Sequence, residues 1–116
     1  MIEMDEERFE DLVRDALDSL PGELARLVDN CVVLVEDVPP PDQADLLGLY
    51  EGTPLTERGS GYTMVVPDRI TVFRRNLLDV CETEEDVVEE VRVTVVHELG
   101  HHFGIDEERL HELGYG

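Results

Sequence analysis

The chain of 116 residues carries 29 Asp and Glu against 9 Lys and Arg, a formal net charge of -20 at pH 7. This length predicts one domain, residues 1–116, with a single modest core and no separate substrate-binding lobe. The charge argues against binding nucleic-acid phosphates or an anionic membrane surface; it reads first as a device of solubility and second as a match for a basic peptide or protein partner.

The start, Met1–Glu6, has no basic region and no apolar core of signal-peptide length, which predicts a cytoplasmic protein. No stretch approaches the ~18 apolar residues of a membrane helix. Phe9, Leu12, Val13, Ala16, Leu17 and Leu20 recur at helical spacing and predict an amphipathic helix from about Asp5 to Leu20. Pro21-Gly22 breaks it, and Leu24, Leu27 and Val28 suggest a second short helix. Cys31–Val35 is a short apolar, β-branched run that reads as a buried strand. Prolines 39, 40 and 41 force an extended connection. Leu46–Tyr50 reads as a further strand, with a helix as the alternative. Glu57–Gly61 is a flexible loop, Arg69–Arg74 alternates as a strand does, and Asn76–Cys81 reads as a short helix. Cys31 and Cys81 form neither a CxxC nor a zinc-finger spacing and read as two reduced, buried thiols. Two helices, three strands and two further helices predict an α+β fold, a small mixed sheet packed against helices.

The last of these helices carries the chemistry. Thr83 is the expected N-cap, with Glu84, Glu85 and Asp86 in the first turn, where carboxylates favour the positive end of the helix dipole. Val88, Val91, Val95 and Leu99 supply the buried stripe. Val91–Val95 also alternates as a strand would, but the capped start and the spacing through Leu99 and Phe103 favour a helix. On that helix His97-Glu98-Leu99-Gly100-His101 forms an HExxH motif. Two histidines four residues apart stand on one face, each offering an imidazole nitrogen to a shared ion, and the adjacent glutamate can serve as general base. Gly100 leaves room beside the histidines. A hydrolytic zinc takes a third protein ligand, and only 15 residues follow His101, fewer than a ligand on a distant later helix requires. Gly104 ends the helix instead, and the next turn can return a ligand: Glu107 three residues on, with Asp106 as near rival and His111 as an outside candidate. His102 points away from the ligand face and is expected to pack or to contact the ligands. Tyr115 sits in a terminus expected to fray.

HELGHHFGIDEERLHELG, together with PDRITVFRRNLL upstream, resembles the small bacterial zincin-like metallopeptidases, or minimal zincins, over about Phe9–Gly114. Members carry HExxHxxGxxD, so the resemblance implies His97, His101 and the acidic residue as metal ligands and Glu98 as catalytic base. Here Glu107 stands where the family has aspartate, and no methionine follows the motif to form the Met-turn of true metzincins. It also implies an edge strand beside the metal that an extended peptide can join, with Arg69–Arg74 as candidate and an interior strand as its alternative. The leading expectation is a Zn²⁺-dependent peptidase. The alternative is a catalytically inactive, metal-stabilised module that binds a protein or peptide.

Overall fold

The computed structural model describes residues 1–52 and 67–112, with Glu107 described in its backbone alone. The expected loop Glu57–Gly61, Tyr115 and the Glu107 side chain lie outside the described residues.

The chain begins with α1 (Glu6–Asp18), capped by Asp5, whose side chain accepts from the Arg8 N–H. It continues through α2 (Gly22–Asp29), β1 (Cys31–Glu36) and a 3₁₀ turn at Pro41–Gln43. Next come β2 (Gly48–Glu51), β3 (Asp68–Phe73) and α3 (Arg74–Asp79). The motif helix α4 (Glu84–Phe103) and the short α5 (Glu107–Glu112) close the described chain. The fold is α+β, as the residue pattern predicts. Among the described residues the sheet has the order β1-β3-β2, with β1 parallel to β3 and β2 antiparallel to it.

The helices cover one face of this sheet. Phe9, Leu12 and Ala16 of α1, Leu24 of α2, Ile70 and Val72 of β3 and the motif helix residues Val87, Val91, Val95, Val96 and Leu99 form one buried cluster. The motif helix is buried on a broader face than its spacing suggests. Val87 is fully buried and Val88 only partly, because the helix is packed against both α1 and the sheet.

Two expectations about strands are corrected. Cys31–Val35 is not a buried strand: burial alternates along β1, and Val32 and Leu34 stand exposed on the side away from the helices. A sheet covered by one layer of helices buries alternate side chains, and β-branched residues suit either side of it. Of the two readings of Arg69–Arg74, the edge strand falls and the interior strand holds. The corresponding β3 lies between β1 and β2, and the strand beside the motif helix is β2.

Candidate metal centre

The motif helix holds its register from both ends. Thr83 Oγ1 accepts from the Asp86 N–H at 3.1 Å while Asp86 Oδ2 accepts from the Thr83 N–H at 3.2 Å, a reciprocal cap that fixes the start. At the other end Gly104 adopts φ 68°, the left-handed conformation that glycine takes without steric cost, and the Ile105 N–H returns to the Gly100 carbonyl at 2.9 Å. The chain then turns into α5, where Leu110 is buried. A Cβ on Gly100 would lie 3.3 Å from Leu110 Cδ1. The room that Gly100 leaves is therefore used by the returning segment rather than by the histidines.

His97 and His101, four residues apart, are both exposed, with the His101 side chain 84% accessible. Glu98 lies on the adjoining face, its side chain 22% accessible, with Oε2 3.9 Å from His101 Nδ1. Thr94, Glu98 and His102 follow one another at four-residue intervals along β2. A helix advances about 6 Å in four residues and a strand about 6.6 Å in two, so the two elements can step side by side. Thr94 meets Gly48, where a Cβ would come within 2.6 Å of Thr94 Cγ2; only glycine lets strand and helix approach this closely. One step on, Glu98 Oε1 accepts the Tyr50 N–H at 3.0 Å. At the next step the His102 ring stacks on Tyr50, centroids 3.9 Å apart and planes inclined by 19°.

Tyr50 is itself anchored. Its hydroxyl donates to Asp68 Oδ2 at 2.6 Å and accepts from Cys31 Sγ at 3.5 Å. Burial, and then the hydrogen bond to Asp68, raises the phenol pKa above its ordinary value, so the hydroxyl stays protonated at neutral pH. His102 Nε2 lies 3.9 Å from the same Asp68 carboxylate. Tyr50 and Asp68 belong to no local motif of the sequence. The signal that points to them is the continuation of the four-residue interval from Glu98 to His102, opposite a strand carrying a glycine.

Among the other candidates, Asp106 Oδ1 accepts the Arg109 N–H at 2.8 Å and so caps α5. His111 is exposed on α5. Arg109 pairs with Glu23 and ties that helix back to α2. Cys31 and Cys81 are both free thiols; Cys81 is buried, and its pKa is pushed up to about 11 by that burial and by nearby carboxylates.

The sequence profile of the zincin-like metallopeptidases matches residues 28–116. The chain belongs to the zincin-like metallopeptidase family. A conserved hypothetical protein from Thermo thermophilus, of known structure, is 26% identical, with the match covering 86% of this chain and 94% of that one at a TM-score of 0.57. A comparison with curated proteins finds no match.

The donors present suit the zinc that this zincin-like family implies. Imidazole and carboxylate are zinc ligands, and two exposed imidazoles share a helix face with a carboxylate beside them. Among the described residues no three His, Cys, Asp or Glu side chains converge as a complete metal site. The expected third donor, the Glu107 side chain, falls outside those residues. Its backbone opens α5, immediately after the turn that Gly104 begins.

Proposed function

We propose that this zincin-like protein is a zinc-dependent peptidase, with His97, His101 and Glu107 holding the metal and Glu98 acting as general base. The observation that carries the reading is the arrangement of the motif against β2, an edge strand among the described residues. The two histidines face outward together, while Glu98 lies between them and β2, one carboxylate oxygen fixed by the Tyr50 N–H. Zinc bound there would acidify a water molecule and polarise the scissile carbonyl. Glu98 would accept the proton of the attacking water and pass it to the leaving amine. With one oxygen held by the strand, the other stays available on the side of His101. An extended peptide could lie along β2, whose pairing with β3 leaves alternate backbone groups directed outward among the described residues, the Tyr50 N–H being taken by Glu98. The net charge of -20 supports a basic peptide or protein as substrate. Two free cysteines are consistent with a reducing, cytoplasmic setting. No helix among the described residues is long and apolar enough to cross a membrane.

Glu98→Ala should abolish hydrolysis of a mixed peptide library while zinc remains bound. Turnover retained in that variant would remove Glu98 from the role of base. The second reading, an inactive metal-stabilised binding module, is favoured by one feature: Glu98 is already committed to a strand N–H. Zinc-loaded wild type that turns over no member of the library, yet retains some of them on a column, would support that module instead.

A further inference from the structure

One residue outside the motif touches the motif helix at two separate points. The Tyr50 N–H holds the Glu98 carboxylate at 3.0 Å, and the Tyr50 ring lies flat on His102. His102 directly follows His101, in the last turn before Gly104 reverses the chain. With its side chain 84% accessible, His101 has little packing of its own to fix it. Gly104 caps the backbone of this helix end at the Gly100 carbonyl. The stack on His102, joined by an edge contact between Tyr50 and Phe103, adds a side-chain hold on the last turn.

The anchor is itself fixed to the sheet. The Tyr50 hydroxyl meets Asp68 and Cys31, which are register partners at the starts of β3 and β1. Tyr50 thus reaches across all three strands from the edge nearest the motif helix.

We propose that the Tyr50 side chain is a positioning group for the metal centre: beside the backbone N–H that holds Glu98, it ties the turn that carries His101 to one point on the sheet. The proposal rests on the metallopeptidase reading of His97, His101 and Glu98. Contacts that orient ligands without touching the metal are commonly worth 10- to 100-fold in affinity, because they remove motion that binding would otherwise have to arrest.

The test compares zinc affinity, by competition with a chromophoric chelator, and the visible spectrum of the cobalt-loaded protein. The variants are Tyr50→Phe, Tyr50→Leu, His102→Ala and the double variant Tyr50→Leu/His102→Ala. Val13→Ala, in α1, serves as a control for lost stability alone. Tyr50→Leu removes the ring and should weaken zinc binding on the order of 10-fold or more and alter the cobalt spectrum. Tyr50→Phe keeps the stack and should retain most of the affinity. His102→Ala should weaken binding comparably to Tyr50→Leu, and the double variant should be no weaker than Tyr50→Leu alone, since both changes remove one contact. Losses that add in the double variant would overturn the shared anchoring. So would folded Leu and Ala variants with wild-type affinity and spectrum. If Tyr50→Leu does not fold, His102→Ala, a change at an exposed helix position, decides alone. Wild type that binds no zinc, or keeps it in His97→Ala, would instead sink the metallopeptidase reading, and this proposal with it.

Discussion

Glu98 lies at the boundary between helix and strand, and the smallest residue of that boundary sets how closely the two approach. Gly48 brings β2 close enough for the Tyr50 N–H to reach the carboxylate. Gly48→Ala would set a methyl group within 2.6 Å of Thr94 Cγ2 and 3.2 Å of the Thr71 carbonyl oxygen. Overpacking of this kind costs about 1–3 kcal/mol. Urea unfolding of Gly48→Ala should show a loss in that range, and Thr94→Ser, which deletes the opposing methyl, should recover part of it. An unchanged midpoint in Gly48→Ala would mean that strand and helix are not closely packed there. The histidines and glutamate of the motif were legible from the sequence because their four-residue interval is local. Tyr50 was not: it meets Glu98 and His102 across 48 and 52 positions of chain, and no local pattern records such a contact.

The elements were legible to different degrees for the same reason. Helix caps depend on neighbours three or four residues away, so Thr83, Asp86 and Gly104 mark the ends of the motif helix in the sequence as they do in the structure. Strand order depends on distant pairing. Arg69–Arg74 alternates as a strand does, but alternation does not say whether the strand is at the edge, and β3 pairs with β1 on one side and β2 on the other. Likewise the apolar run Cys31–Val35 suits an enclosed strand, but its burial is decided by the absence of helices on the far face among the described residues. The cap at Gly104 carries its own prediction. Alanine there must adopt φ 68°, at a cost of roughly 1–2 kcal/mol. Gly104→Ala should therefore lower the urea midpoint, and it should also weaken zinc binding, because the turn toward Glu107 begins at this residue. A stability loss with zinc affinity intact would mean that the returning segment supplies no ligand.

Across the molecule, 29 Asp and Glu face only 9 Lys and Arg, and one of the pairs they form joins two helices far apart in sequence. Arg8 of α1 donates from Nε and Nη2 to the two Glu84 oxygens at 3.0 and 2.6 Å, joining the N-terminal helix to the start of the motif helix. The hydrogen bond from Arg8 holds the Glu84 carboxyl below its ordinary value of 4.5. A carboxyl depressed in the folded state adds stability above its unfolded pKa and loses it as pH falls through the folded one. Arg8→Gln should therefore melt below wild type at pH 7, with the gap closing as pH drops below 4.5. A gap that persists at pH 3 would assign the effect of Arg8 to packing rather than to charge.

The same outward face that leaves His97 and His101 open to solvent makes the central claim simple to test: elemental analysis of tag-free protein alongside His97→Ala. We predict about one zinc per wild-type chain, lost in the variant while the fold survives. No bound zinc in wild type after zinc is supplied, or undiminished zinc in His97→Ala, would contradict the metal centre.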